Sequence, residues 1–291
     1  MSAAYDVDVP AETVEPRASF DAASGQLGAD AVEAFTADGV VCLRNVLSVD
    51  QVEELRAGCT DAEAVASPRS YRVGGDGAGP SFFYDIDVSD RVDAFRRVRD
   101  NGPVADLAAQ LMGSRALNRY FDNLFVKDGH GGAATRWHED ASYQRVIGQH
   151  SVNTWVSLDV IPRETALQFL AGSHRRDEPI YVMEHFSTTD AYDGPITADR
   201  TPMPPIADLR ARFERVWWYL EPGDALVWYH RTLHAAPPNT LSTPRRSIAY
   251  VWTGDDARYD ASPGRVDPDL ADPDLAHGEP FLASVRFPRV R

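Results

Sequence analysis

Residues 116–126 read Ala-Leu-Asn-Arg-Tyr-Phe-Asp-Asn-Leu-Phe-Val, and they begin the half of the chain that decides the fold. Further short segments rich in β-branched and aromatic residues follow at 152–160, 166–170, 216–220, 225–229 and 247–253. Glycine, proline and aspartate separate these segments, as is typical of strands joined by turns. Because no helical pattern alternates with them, the order speaks against a parallel βαβ sheet. It predicts an antiparallel sandwich or jelly roll.

Helices are predicted ahead of the strands. Residues 30–36 and 91–112 have helical patterns, and Asn101-Gly102-Pro103 interrupts the second one. Ser48-Val-Asp-Gln51 has the spacing of a capping box, which predicts a helix over residues 49–66. The predicted fold class is therefore mainly β with N-terminal helices.

One domain is predicted over residues 29–253, between two polar segments. Residues 1–28 are rich in Ala, Asp, Glu and Ser, which predicts a flexible N-terminal arm. Residues 254–291 are rich in Pro and Asp, and we expect a polar C-terminal tail without chemistry of its own.

Charge and composition exclude several classes of protein. The chain has 29 Lys+Arg against 44 Asp+Glu, a net charge of −15, which argues against a nucleic-acid partner. No apolar run is long enough to span a membrane. Cys42 and Cys59 are too few for a disulfide framework, and they fit a reducing cytoplasm. A metal site would have to use histidine and carboxylate ligands, and composition predicts no oligomeric state.

The segment Thr135-Arg-Trp-His138-Glu-Asp140 is the sharpest chemical feature. In an extended chain alternate side chains share a face, so His138 and Asp140 project together while Glu139 points away. Two histidines and one carboxylate form the facial triad that binds Fe(II) and leaves positions open for a co-substrate and O2. His234, shortly after the predicted strand at 225–229, is the candidate third ligand.

Other interpretations of these histidines are open from the residues alone. A His-x-Asp tripeptide arises by chance in many chains of this length. His174 follows a predicted strand and could cap a turn, and His230 could be a packed or solvated residue.

Further motifs occur in order along the chain. They are Trp137-His-x-Asp140, Trp155-Val-Ser-Leu-Asp159, Leu167-Gln-Phe-Leu-Ala-Gly-Ser-His174, Pro222-Gly-Asp-Ala225, and His234 followed by Asn239 and Arg245-Arg-Ser. With them the chain resembles the phytanoyl-CoA dioxygenase (PhyH-like) family of Fe(II)/2-oxoglutarate-dependent oxygenases over residues 30–253. The resemblance implies a double-stranded β-helix, the cupin-like jelly roll, and an enzyme with Fe(II), 2-oxoglutarate and O2 as cofactors.

The resemblance also implies roles for individual residues. His138, Asp140 and His234 match the iron ligands, and Arg245 matches the arginine that binds the distal carboxylate of 2-oxoglutarate. Neighbouring strand residues face opposite ways, so Arg246 is the competitor of Arg245.

Four further residues are candidate contacts of 2-oxoglutarate: Trp155, Thr154, Lys127 and Asn123. Lys127, the only lysine of the chain, shares a strand face with Asn123. Trp155 could equally be a buried core residue.

The expected reaction is hydroxylation of an unactivated C–H bond of a small natural-product intermediate, with release of succinate and CO2. Desaturation, epimerisation and cyclisation use the same triad and stay open. Candidate substrate contacts are Phe83, Arg136 and Tyr143, within or near the segments 71–87, 143–150 and 181–213 that are expected to shape the substrate pocket.

Two rival functions follow from the same sequence. A non-catalytic jelly-roll binding protein would have lost at least one of the four residues matched to iron and 2-oxoglutarate, and all four are present. For a cupin-like enzyme that works without 2-oxoglutarate, Arg245 would be superfluous.

Overall fold

Two β-sheets face each other, and α-helices cover the outer face of the larger sheet. The computed structural model describes residues 7–74, 81–130, 134–182, 198–262 and 270–291. The strands are β1 (Ser19–Asp21), β2 (Val40–Arg44), β3 (Tyr71–Val73), β4 (Phe82–Ile86), β5 (Asn118–Lys127), β6 (Thr135–His138), β7 (Val146–Ile147), β8 (Ser151–Ser157), β9 (Gln168–Leu170), β10 (Ile180–Val182), β11 (Arg200–Pro202), β12 (Arg215–Trp217), β13 (Ala225–Tyr229), β14 (His234–Ala236), β15 (Arg245–Thr253) and β16 (Arg258–Tyr259). The α-helices are α1 (Ala29–Asp38), α2 (Val49–Ala64), α3 (Asp93–Asn101), α4 (Val104–Met112) and α5 (Ile206–Arg210).

The strand order is that of a double-stranded β-helix. The larger sheet has eight strands in the order β1-β2-β13-β8-β15-β5-β4-β3, and the smaller has four in the order β12-β9-β14-β6. Apart from the β1–β2 pair, every strand pair in these two sheets is antiparallel. The predicted mainly β jelly roll with N-terminal helices is thereby confirmed.

Side-chain alternation divides the larger sheet between two cores. In β8, Val152 and Val156 pack with the helices, whereas Trp155 packs between the sheets with Phe169 of β9 and Trp228 of β13. Successive strand residues point to opposite faces, so the central strands β2, β13, β8, β15 and β5 contribute to both cores. The phase of this alternation decides which residues reach the interior of the roll.

The helices follow the predicted pattern. Helix α2 begins with a complete capping box, in which the Ser48 hydroxyl accepts from the Gln51 amide and the Gln51 side chain accepts from the Ser48 amide. Pro103 separates α3 from α4, as predicted from the break in the helical pattern. Helix α1 ends at Gly39, whose φ of 76° is left-handed and whose Cα lies against the His174 ring. A side chain at position 39 would be strained by the left-handed φ and would collide with the His174 ring.

The N-terminal segment is docked, in contrast to the predicted flexible arm over residues 1–28. Within residues 7–28, β1 pairs with β2 in parallel, and Arg17 forms an ion pair with Asp38 at 2.8 Å. The Trp218 indole donates to the carbonyl oxygen of Ala18. Composition suggested disorder because few apolar residues are present, but backbone pairing and ion pairs hold this segment instead.

The C-terminal segment also differs from the predicted polar tail over residues 254–291. In its described part, Leu270, Leu275, Phe281 and Phe287 are buried in one cluster with Tyr120 and Tyr143. The Phe287 and Tyr120 ring centroids are 4.9 Å apart. A few widely spaced apolar anchors in a polar segment are enough to pack it against the roll.

Among the described residues, no helix is both long and apolar enough to cross a bilayer.

One buried carboxylate of β5, Asp122, forms no ion pair among the described residues, although the charge of Arg119 acts to lower its pKa. Asp122 is fully buried, its Oδ1 accepts from the Ser89 amide at 3.0 Å, and its Oδ2 has no hydrogen-bond partner among the described residues. Burial, with a smaller contribution from Asp87, raises the pKa of Asp122 to about 6. The folded state therefore holds a proton that the unfolded state releases at lower pH.

We predict that Asp122→Asn stabilises the protein at pH 8 and has much less effect at pH 4. The raised pKa means that the wild-type carboxyl costs nothing below its unfolded pKa and costs about 3 kcal/mol once pH exceeds its folded pKa. Urea unfolding at both pH values measures the difference between wild type and variant. Exposed Asp61→Asn is the control, and an equal effect of Asp122→Asn at both pH values would contradict the prediction.

Candidate metal centre

His138 and His234 face each other across two neighbouring strands of the smaller sheet. His138 ends β6, His234 begins β14, and the two are register partners with ring centroids 4.1 Å apart. The register shifts between His234 and Ala236, and such bulges redirect side chains near functional sites. Both side chains are nearly fully buried.

Backbone carbonyls set the tautomer of both rings. Nδ1 of His138 lies 2.7 Å from the carbonyl oxygen of Arg136, and Nδ1 of His234 lies 2.9 Å from that of Thr232. A carbonyl can only accept, so each Nδ1 carries the proton and each Nε2 presents a lone pair. Burial, with a smaller contribution from His138, lowers the pKa of His234 to about 4, which keeps this ring neutral at physiological pH.

Asp140 completes the group directly after β6. Its Oδ1 lies 3.6 Å from Nε2 of His138 and 3.6 Å from Nε2 of His234. Burial alone would raise the pKa of this carboxyl. The neighbouring His234 and His138 rings and a hydrogen bond from Tyr143 outweigh burial and hold the pKa below its ordinary value. The group therefore combines one carboxylate oxygen with two imidazole nitrogens.

Two residues of the larger sheet orient the Asp140 carboxylate. Asn153 of β8 and Trp228 of β13 are register partners, and both donate to Oδ2, at 2.6 and 3.0 Å. Tyr143 donates to Oδ1 at 2.5 Å. Neither Asn153 nor Trp228 was predicted from the sequence as part of the site. Asn153 lies two positions before Trp155 and hence on the same strand face, which was an available signal.

The donor set fits a metal ion. One ligand atom from each of His138, Asp140 and His234 lies within 4.8 Å of the others, and all three residues are buried. Two imidazole nitrogens and one carboxylate oxygen, with hydrogen bonds that orient each ligand, are the donors of a facial Fe(II) site. His174 and His230 lie elsewhere: His174 stacks on Tyr229, and His230 bonds to the Gly148 carbonyl.

Glu139 points away from this group into a buried ion-pair network. Its carboxylate accepts from the Arg176 guanidinium and from the Tyr181 amide, and Arg231 lies within 3.4 Å. The side chains of Glu139 and Arg176 are fully buried. Burial raises the pKa of Glu139 although both arginines act to lower it. The residue between the two ligands thus ties their loop to β10 and to the turn that follows β9.

Arg245 and Lys127 form a cationic end of the roll. They are register partners on β15 and β5, and both are nearly fully buried. Arg245 donates to the Thr165 carbonyl and forms no ion pair with any carboxylate of the described residues. Burial lowers the pKa of Arg245 to about 10 and, together with Arg245, lowers the pKa of Lys127 well below its ordinary value. A buried guanidinium without a carboxylate is suited to an incoming anion.

Arg246 occupies the opposite face, where Asp159 accepts from its Nε and Nη2 at 2.9 and 2.7 Å. The structure therefore separates the two competing arginines, and only Arg245 lies inside the roll.

The other predicted cofactor contacts divide between the two faces. Trp155 lies in the core between the sheets, and Asn123 lies on the same face of β5 as Lys127, where its amide oxygen accepts from the Tyr84 hydroxyl at 3.0 Å. The predicted contact of Thr154 with 2-oxoglutarate is corrected by the structure. Thr154 lies on the helix-facing side of β8 with Val152 and Val156, so it does not reach the interior. Adjacent strand residues face opposite ways, so Trp155 and Thr154 cannot both reach the interior.

The predicted substrate contacts need a similar correction. Phe83 packs in the helix-side core, while its neighbours Phe82 and Tyr84 lie on the face of Lys127 and Asn123. Tyr143 is buried and bonds to Asp140, so it supports a ligand. Arg136 is half-buried, two positions before His138 on β6. Parts of the predicted pocket segments, residues 75–80 and 183–197, lie outside the described residues.

The fold matches solved structures over most of its length. The carbocyclase SnoK from nogalamycin biosynthesis is 24% identical with a TM-score of 0.70, covering 92% of this chain and 98% of that one. The epimerase SnoN in complex with Fe3+, α-ketoglutarate and nogalamycin RO is 26% identical with a TM-score of 0.68, covering 90% and 98%. EctD from S. alaskensis with 2-oxoglutarate and 5-hydroxyectoine is 20% identical with a TM-score of 0.66, covering 87% and 85%. No match is found among curated proteins.

The fold and the His-Asp-His group define the class of iron- and 2-oxoglutarate-dependent oxygenases. Residues 35–247 match the phytanoyl-CoA dioxygenase (PhyH) family, and the chain belongs to that family. The family, enzyme class and cofactors expected from the motifs are confirmed.

We predict that Arg176→Met destabilises the protein by about 3–5 kcal/mol, because it leaves the buried Glu139 carboxylate without its main partner. Urea unfolding measures the loss. Arg212→Met removes an arginine from an exposed pair with Glu178 and serves as the control, with a much smaller expected loss because solvent screens the exposed pair. If both variants lost the same free energy of unfolding, the buried pair would contribute no more to stability than the exposed pair.

Proposed function

We propose that this enzyme hydroxylates an unactivated C–H bond of a small organic molecule, with release of succinate and CO2. The observation that carries the proposal is the combination, inside one roll, of a three-residue metal group and a buried Arg245 that forms no ion pair with a carboxylate of the described residues. A binding protein that had lost catalysis would need neither feature. A cupin-like enzyme without 2-oxoglutarate would leave the buried Arg245 charge uncompensated.

His138, Asp140 and His234 would hold Fe(II), which supplies the activation of O2 when bound. The protein contributes ligand geometry: carbonyls fix both imidazoles, and three donors fix the carboxylate. Ligands that cannot rotate would hold the metal ion in one place, and three protein ligands would leave room for a co-substrate and O2.

Arg245 would bind the distal carboxylate of 2-oxoglutarate through its planar guanidinium, a geometry that lysine does not reproduce. Trp155, Lys127 and Asn123 would line the same pocket, since they lie on the interior faces of β8 and β5. Burial at this end excludes water, which strengthens the charge-assisted hydrogen bonds.

Hydroxylation is proposed among several outcomes of the same cofactor chemistry. SnoK is a carbocyclase and SnoN an epimerase, so desaturation, epimerisation and cyclisation are the alternatives for this chain. The product mass separates them: hydroxylation adds one oxygen atom, desaturation or cyclisation removes two hydrogens, and epimerisation leaves the mass unchanged.

The proposed substrate is a natural-product intermediate. SnoK comes from nogalamycin biosynthesis, and SnoN is in complex with nogalamycin RO. We place the enzyme in a reducing cytoplasm, where the buried thiols of Cys42 and Cys59 stay reduced. The net charge of −15 disfavours nucleic acid as a partner.

We predict that anaerobically purified protein binds one Fe(II) and that His138→Ala weakens this binding at least about 100-fold, because one of only three protein ligands is lost. Calorimetric titration measures the affinity, and a succinate-release screen of candidate substrates measures turnover. His277→Ala removes an exposed histidine and should behave as wild type. Wild-type protein without Fe(II) affinity, or unchanged succinate release by His138→Ala, would refute the proposed function.

We predict that Arg245→Gln weakens 2-oxoglutarate binding about 100-fold, since it removes a buried partner of a carboxylate. Arg246→Gln is a matched control on the adjacent residue, whose guanidinium binds Asp159 on the other face. Titration of the Fe(II)-loaded variants with 2-oxoglutarate gives both affinities. An equal effect of the two substitutions would remove Arg245 from the proposed pocket.

A further inference from the structure

Four aromatic rings from three adjacent strands form a continuous cluster, which we call the aromatic wall: Tyr71, Phe82, Tyr84 and Phe125. Tyr71 and Tyr84 have ring centroids 4.9 Å apart, and Tyr84 and Phe125 are 5.4 Å apart. Phe82 and Phe125 stack at 6.4 Å with an interplanar angle of 6°. These strands form the far edge of the larger sheet.

The aromatic wall does not belong to the helix-side core. Phe83, between two wall residues, packs in that core and is 4% exposed. Tyr71, Tyr84 and Phe125 are instead only half-buried. Apolar ring surface left partly open is unfavourable in water unless something covers it, and ligand pockets are typically lined in this way.

The position of the aromatic wall relates it to the metal group and to the cationic end. On one side, the Lys127 ammonium lies 4.9 Å from the Phe82 ring centroid, and Phe125 packs against the inter-sheet core that contains Trp155. On the other side, Tyr84 packs against the cluster that contains Tyr143, the donor to Asp140. The wall therefore extends between the two halves of the proposed active site.

The wall is also rigid. The Tyr84 hydroxyl donates to the Asn123 amide oxygen at 3.0 Å, which holds the outer end of the ring in position. Four mutually packed rings lose little additional side-chain entropy when a ligand covers them, which favours binding to a preformed surface. No wall residue carries a charge at neutral pH, so the surface selects for ring faces and apolar area.

We infer that the substrate presents a planar aromatic ring system to the aromatic wall. This inference rests on the proposed function, because the wall is argued to position a substrate beside the metal group. A saturated skeleton of the same size would bury similar area but would lose the stacking with Tyr84 and Phe125. A small zwitterion would find no charged partner among the four rings.

The test compares 2-naphthol with decahydro-2-naphthol, which share one skeleton and differ in aromaticity. Anaerobic protein loaded with Fe(II) and 2-oxoglutarate is titrated with 2-naphthol by fluorescence anisotropy, and decahydro-2-naphthol is the competitor. We expect 2-naphthol to bind at least about fivefold more tightly than decahydro-2-naphthol. Phe125→Leu and Tyr84→Leu should each abolish most of this preference.

Tyr219→Leu is the matched control, because Tyr219 is an exposed tyrosine on the other side of the roll that contacts Glu221. Each variant is also titrated with Fe(II) and 2-oxoglutarate alone. If the wild-type protein bound neither Fe(II) nor 2-oxoglutarate, the proposed function would be refuted. Intact cofactor binding with equal affinity for the two ligands, or with Phe125→Leu and Tyr84→Leu like wild type, would refute the aromatic substrate while leaving the proposed function standing.

Discussion

Hydrogen bonds to the Asp140 carboxylate connect the two sheets of the roll. Asp140 follows a strand of the smaller sheet, yet its Oδ2 is held by a register pair of the larger sheet, Asn153 and Trp228. The two histidines beside it belong to the smaller sheet. A correct ligand set therefore requires that the sheets pack at the right separation, and the inter-sheet core of Trp155, Phe169 and similar residues sets that separation. The packing between the sheets therefore also determines the position of Asp140 relative to the two histidines.

The net charge of the chain does not reveal how charged side chains are distributed in the interior. The chain carries −15 overall, but the described interior places two cations, Arg245 and Lys127, at one end and the Asp140 carboxylate near the histidines. A dianion with one end suited to a metal and the other to a guanidinium matches this arrangement. Burial makes each charge expensive when alone, which is why Glu139, facing the other way, is paired with arginines.

The fold class could be predicted because strand-rich segments and a capping box are local patterns. His138 and Asp140 could be placed together because alternation within one strand is also local, whereas His234 needed the family resemblance to become more than a candidate. Thr154 and Phe83 were each misplaced by one residue, because periodicity alone does not say which face of a strand is inside. The docked termini were missed because a few anchors such as Phe287 are invisible in averaged composition.

The C-terminal segment has a consequence for the order of events during synthesis. Phe281 and Phe287 pack in the cluster that contains Tyr143, and Tyr143 bonds to the carboxylate at residue 140. The ribosome makes the ligand loop long before it makes these phenylalanines. A nascent chain that already contains His138, Asp140 and His234 still lacks the support behind Asp140. The finished arrangement of the three side chains is therefore a property of the whole domain and arises late in its biogenesis.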